Sequence, residues 1–336
     1  MKQKILERAR WIADEVLFPS AIQTDKAELL PVTNLDLLAR EGFYGMAGPA
    51  NAGGLELDLA SAHRVVETLA AGCLTSTFVW LQSQNPVRAV AASHTPRLSD
   101  RWVGPLCRGE IRAGIALAGN RPGPPILTAA QSTDGGLALD GEAPWVSGWG
   151  RIDVMLVTAR EGDAVVSALV DAVASSTLRA EPLHLVGANA SGTVTLRFSR
   201  HIVAPERIVG RESHADVLSR DPIGLRMNGS LALGVIARCC MLMGPTAFDD
   251  ELNTVRRALD EATSGELPAA RSAASELAIR AAAALTVAQG SRSILADQHA
   301  QRLAREALFL LVFGSRPAIR AELQRTLARS PAGSAD

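Results

Sequence analysis

Apolar and polar positions follow one rhythm at each end of the 336-residue chain and another in the middle. Up to about Arg108 the apolar residues recur at the spacing of one helical face. Leu6, Ala9, Ile12, Ala13 and Val16 line up, while Glu7, Arg8, Arg10 and Asp14 fall on other faces. The pattern predicts a further helix over 34–41 that ends in Gly42-Phe43-Tyr44-Gly45. A loop with Gly48-Pro49 and Gly53-Gly54 follows, then two mostly apolar helices over 59–73 and 78–93, then an amphipathic helix over 98–107. From Ile111 to Gly210 short apolar runs take over, at 112–117, 136–139 and 152–159, and Thr193–Phe198 alternates with period two. Asp134-Gly135-Gly136 between two runs signals a hairpin. The middle therefore reads as a small, mostly antiparallel β domain. From Pro222 the helical rhythm returns. It predicts one long apolar-rich stretch over 225–260, a break at Ser264–Pro268, and a helix marked by Leu277, Ala281, Ala284, Leu285 and Ala288. A loop over 290–297, a buried helix over 299–313, a turn at 314–317 and a last amphipathic helix over 318–329 complete it.

The reading gives three parts: a helical domain over 1–110, a β domain over 111–215 and a second helical domain over 216–336. A chain of this length exceeds one ordinary core, which fits that division. The formal net charge of -1 supplies no field for nucleic acid or an acidic membrane. Lys2, Lys4 and Lys26 are the only lysines, and the many arginines read as codon bias rather than a binding patch. Charges throughout the first thirteen residues argue against a signal peptide, and the longest apolar run, 307–313, is too short to cross a bilayer. These features predict a cytoplasmic protein with neither a nucleic-acid nor a membrane partner. Cys73, Cys107, Cys239 and Cys240 lack metal-ligand spacing, so no metal is expected and the thiols are expected to be reduced and mostly buried.

Five separated stretches carry a resemblance. They are Leu38–Met46 with Gly53-Gly54-Leu55, Arg101–Glu110, Leu139–Gly148, Val203–Arg207 and Arg302–Ala307. In this order they resemble the acyl-CoA dehydrogenase family over nearly the whole chain. The resemblance implies an α+β fold in several parts: an N-terminal helical domain, a central small β-barrel or β-sandwich, and a C-terminal helical bundle. It also implies FAD, held between the β domain and the C-terminal helices, and an acyl-CoA or related acyl substrate stacked on the flavin. A homo- or hetero-oligomer with a family member is implied as well. The expected activity is oxidation at a CH–CH group, with a carboxylate removing a proton next to the thioester carbonyl.

Carried over residue by residue, the resemblance puts Trp145 on the flavin-contacting tryptophan and Ser147 on the hydroxyl residue two positions later. Ala118 falls where a flavin-contacting threonine is usual, and Pro124 roughly where a serine meets the pyrophosphate. That loop therefore loses two hydroxyl donors. Arg121 reads either as a compensating phosphate ligand or as a solvated loop residue. Gly290 keeps the first glycine of a cofactor loop whose later glycines are Ser291 and Arg292. Arg257 matches an adenine-side arginine, although Asp260 stands where a phenylalanine is expected. Arg226 is the substrate-side arginine, and Arg316 is a further cofactor-binding candidate.

The catalytic carboxylate itself is missing. Phe309–Arg316 aligns without gaps to the family's terminal turn, and Gly314 occupies the position of the glutamate. Some relatives place the base just before the arginine on the first long C-terminal helix, but Leu225 stands there. Asp221 lies five residues before Arg226, Glu276 and Glu306 match structural acids, and Asp249, Asp250 and Glu251 read as a solvated face. His214 and His299 read as surface or capping residues. The catalytic residue is thus unassigned. The favoured function is a family oxidoreductase. The alternatives are a catalytically deficient subunit that completes a hetero-oligomer, or a flavin-dependent oxygenase on the same fold.

Overall fold

The computed structural model describes residues 2–94 and 96–328. Met1, Thr95 and Arg329, the predicted end of the last helix, lie outside the described residues. Seven helices come first: α1 (Lys2–Ile12), α2 (Ala21–Lys26), α3 (Val32–Arg40), α4 (Leu59–Gly72), α5 (Leu74–Leu81), α6 (Gln84–Ala91) and α7 (Pro96–Arg108). Eight strands follow: β1 (Ala113–Ala116), β2 (Leu127–Gln131), β3 (Leu137–Val146), β4 (Val154–Glu161), β5 (Ala164–Asp171), β6 (Leu178–Pro182), β7 (Val194–Val203) and β8 (Ile208–Ser213). The chain then returns to helix as α8 (His214–Arg220), α9 (Ile223–Met243), α10 (Ala247–Glu261), α11 (Leu267–Gln289), α12 (His299–Val312) and α13 (Pro317–Leu327).

The two helical parts do not have separate cores. Ile12, Leu17, Leu69 and Leu74 pack in one apolar cluster with Leu233, Ile236, Leu277, Leu303 and Leu310. The helix α9 runs through the middle of it, against α4 on one side and α11 on the other. Its Gly234 allows the closest approach, because a Cβ there would stand 2.4 Å from the Glu67 carbonyl oxygen. The segment His214–Met243 has the length and apolarity of a membrane span, but 72% of its apolar window is buried inside the protein. Its apolarity is what a helix surrounded by other helices requires.

The strands form one sheet in the order β6-β7-β3-β2-β4-β5-β8, with β1 also pairing β4. Most pairs are antiparallel, but β1 and β2 both run parallel to β4 along the same edge. Inward residues of β1 through β7, among them Leu139, Val157, Val166 and Leu196, meet in a second core. A third cluster joins Val87, Trp102 and Leu106 of α6 and α7 to Val154, Leu156 and Leu169 on the other face of the sheet. The 134–136 hairpin forms as read, with Gly135 at φ +80°.

Three expectations need correcting. The helix expected over 78–93 begins at Leu74 and breaks after Leu81, giving α5 and α6. The stretch 225–260 is two helices, divided at Gly244 (φ +81°) and restarted by a reciprocal capping box between Thr246 and Asp249. Asp249 is therefore a cap rather than a solvated acid. His299 is not a surface residue: its ring stacks on Phe18 at 4.1 Å, and burial, then Arg302, pushes its pKa down to about 4. All four cysteines are buried free thiols, and burial raises Cys239 to about 12 and Cys240 to about 11.

Candidate functional site

The strand β3 ends in an irregularity. Its register against β7 shifts between Ala143 and Val146, and within that shift Trp145 takes φ +63°, a conformation L-residues seldom adopt. The result turns the indole out of the sheet, 64% exposed, so Trp145 is not a core aromatic. Two residues on, Ser147 is buried and its hydroxyl lies 2.8 Å from Thr193 Oγ1, which in turn lies 2.8 Å from Ser191 Oγ. Ala118 is buried at the start of a short turn whose Gly119 sits against the backbone of β4 at Ala159. After it, residues 121–125 are exposed, and the Arg121 carbonyl oxygen lies 3.1 Å from His214 Nε2.

Helix α5 connects this platform to the terminal turn. A Cβ on Gly148, next to Ser147, would lie 3.5 Å from Val79 of α5. On the neighbouring residue, Phe78, the ring packs edge-on against Phe313 with centroids 4.9 Å apart. Phe313 closes α12, and Gly314 follows at φ +61°. The only neighbour a Cβ on Gly314 would meet within 4 Å is the carboxamide of Asn228, 3.0 Å away at Nδ2. Arg316 spans the turn. It donates to both carboxylate oxygens of Asp221 at 2.6 Å and to the Gly314 carbonyl at 3.3 Å. The pairing with Asp221 raises the pKa of Arg316. Asp221, 95 residues earlier in the chain, is thus clamped beside the turn.

The second position at which a base was expected is sealed. Leu225 is 2% exposed and packs with Leu267, Ile319 and Leu323. The next residue, Arg226, is buried and committed: it donates to Asp260 at 2.5 Å and to Ser230 Oγ at 2.9 Å. Asp260 also lies 3.7 Å from Arg64, while Arg64 and Arg256 both hold Glu67, at 3.1 and 2.6 Å. Beside this belt burial, and then Arg226, pushes His63 down to about 4. Every carboxylate in the belt faces at least one arginine.

The structure brings Trp145, Ser147 and Ala118 to one side of the β domain, and Gly314, Arg316, Leu225 and Arg226 to the meeting of α9 with the terminal turn. Arg257 is exposed on α10, one residue beyond Arg256, and Gly290 (φ +67°) opens an exposed turn with free space around its Cα. These two do not join either group within the chain. Sequence reasoning missed Thr193, Asn228 and Ser315, and it missed Asp221 as the partner of Arg316. None of these had a signal in the sequence.

Residues 1–110 match the model of the acyl-CoA dehydrogenase N-terminal domain. A 3-sulfinopropanoyl-CoA desulfinase from Variovorax paradoxus is 30% identical over 166 residues, 46% of this chain and 39% of that protein. The chain thus aligns with about two fifths of that relative's length. The structure of a glutaryl-CoA dehydrogenase bound to glutaryl-CoA superposes with TM-score 0.85 at 16% identity, covering 98% of this chain and 95% of that one. A glutaryl-CoA dehydrogenase from Mycobacterium smegmatis, in complex with FADH2, gives 0.82 at 14% identity, over 99% and 95%. Helices, a central mixed sheet and helices again, arranged this way, define the class. The first 110 residues match this family's N-terminal domain by sequence, and the whole chain shares the fold of the acyl-CoA dehydrogenases.

Tested against a flavin, the two ends of the site differ. An outward-facing indole, fixed by the β3 irregularity, fits a flat aromatic ring system. Along 118–125, however, no side-chain hydroxyl is present, and Pro124 has no N–H to offer a phosphate.

Proposed function

We propose that the chain is a flavoprotein oxidoreductase of the acyl-CoA dehydrogenase type, binding FAD and a CoA thioester. Trp145 is the observation that carries it. An exposed indole held in a strained backbone conformation is costly to keep unless something stacks on it, and strain of this kind collects at ligand sites. The bound flavin would supply hydride acceptance. Trp145 would support its ring and the buried Ser147–Thr193–Ser191 chain would fix the strand behind that ring. Gly290 and Arg257, exposed on the C-terminal helices, are available to the cofactor's far end across an oligomer contact. The test is equilibrium binding of FAD followed by its fluorescence. Saturable binding near one FAD per chain, weakened at least tenfold by Trp145→Ala, is expected. A protein that binds no FAD defeats the reading.

A second reading has its own support. Gly314 and Leu225 leave both family base positions without a carboxylate, and Leu225 lies in an apolar cluster where an acid would have no partner. Such a chain suits a hetero-oligomer in which a family partner supplies the proton acceptor. Co-expression with a family member bearing that glutamate would then give thioester oxidation that neither chain shows alone.

A further inference from the structure

Resting on the FAD and thioester reading, we propose that Arg316 and Arg320 form a clamp for a phosphate group of a bound nucleotide, and that Asp221 fills the clamp until that phosphate replaces it. The two arginines are one helical turn apart. The Arg320 amide donates to the Arg316 carbonyl at 3.0 Å, and residues so spaced share a helix face with Cβ atoms about 5–6 Å apart. Arg320 is exposed, and its side chain makes no ion pair or hydrogen bond to any described residue. Arg316 has one carboxylate partner, Asp221, which accepts from Nε and from Nη2 at 2.6 Å each. Its remaining nitrogen reaches only two carbonyls of its own turn, at 3.3 and 3.4 Å. The pair is open to solvent, with the Arg316 and Asp221 side chains 42% and 28% exposed, so a ligand oxygen can reach both guanidinium groups.

The chemistry of the pair selects the ligand. A guanidinium presents parallel N–H donors that match carboxylate and phosphate alike. Asp221 satisfies one arginine, whereas a phosphate, with more oxygens, bridges Arg316 and Arg320. An ion pair this exposed contributes little to stability, so opening it costs little. The place in the fold suits the exchange. Asp221 stands in the short link between α8, which follows the last strand, and α9, while Arg316 stands in the turn between α12 and α13. The clamp is thus where the chain passes from the β domain into the C-terminal helices. The diphosphate of FAD and the phosphates of CoA share the chemistry it recognises.

Calorimetry on the full chain tests this and separates the two sources. FAD is compared with riboflavin and, on the FAD-loaded chain, butyryl-CoA with S-butyryl-pantetheine, the second of each pair lacking phosphate. For the ligand that uses the clamp, Asp221→Asn should tighten binding about fivefold or more, because the competing charge is gone. Arg316→Met and the surface change Arg320→Ala should each weaken it about fivefold, and the phosphate-free counterpart should change by less than about twofold. A response of FAD assigns the clamp to the cofactor's diphosphate, and a response of butyryl-CoA assigns it to the phosphates of CoA. If Asp221→Asn tightens neither ligand, or Arg320→Ala weakens neither, the inference is overturned and the FAD and thioester reading stands. Failure of wild type to bind FAD and butyryl-CoA defeats that reading and the inference with it.

Discussion

The contact between Gly314 and Asn228 can be measured by substitution. Gly314→Ala has two costs. One is the left-handed backbone at φ +61°, which costs an L-residue about 1–2 kcal/mol. The other is the new Cβ, 3.0 Å from Asn228 Nδ2, which forces the carboxamide to shift. Gly42 separates them: it is left-handed (φ +78°, ψ +8°), and nothing lies within 4 Å of its Cβ position. Gly42→Ala should thus cost the conformational term alone. Urea unfolding followed by circular dichroism should show Gly314→Ala more destabilising than Gly42→Ala, by about 0.5–1 kcal/mol, a typical coupling between touching groups. In an Asn228→Ala background the excess should vanish. If the two glycine substitutions cost the same, or the excess persists without Asn228, the carboxamide does not occupy the space beside the turn.

Three further outcomes follow from the buried charges. Arg302 and Glu306 are 1% and 2% exposed and joined at 2.5 Å, so Glu306→Ala and Glu306→Gln should each destabilise by about 3–5 kcal/mol in chemical denaturation, because both leave the Arg302 charge buried without a counter-charge. Leu225→Glu puts a carboxylate among Leu267, Ile319 and Leu323. It should lower the melting temperature without bringing about exchange of butyryl-CoA α-protons in D2O, read by NMR. His299 and His63 both have pKa values near 4 when folded, below the unfolded value of about 6.5. The unfolded chain therefore takes up protons first, and stability should fall as pH drops from about 6.5 toward 4. His299→Phe, which keeps the stacking on Phe18, should flatten that slope, and an unchanged slope would remove His299 from the account.

The helical rhythm of the two ends and the hairpin at 134–136 were readable because periodicity and turn chemistry are local. Strands β2, β5, β6 and β8 were not. In β5, for example, buried Val165 and Val166 are neighbours, so strict alternation is lost when both faces are covered. The break between α5 and α6 has no glycine to announce it, since Gln82, Ser83 and Gln84 are all buried and satisfied by side-chain bonds to nearby carbonyls. That residues 314 and 225 are glycine and leucine rather than acids was visible as residue identities. What fills the surrounding space was not, because Asn228 meets Gly314, and Arg226 meets Asp260, across sequence gaps of tens of residues.

The proposed oxidoreductase depends on a partner's carboxylate, so this chain by itself binds FAD and a thioester without removing the α-proton. This claim is tested most directly by titrating the FAD-loaded chain with butyryl-CoA, without oxygen, while the 450-nm flavin band is recorded. The band should shift as the thioester binds and keep its intensity. Bleaching of the band by this chain alone would contradict the claim.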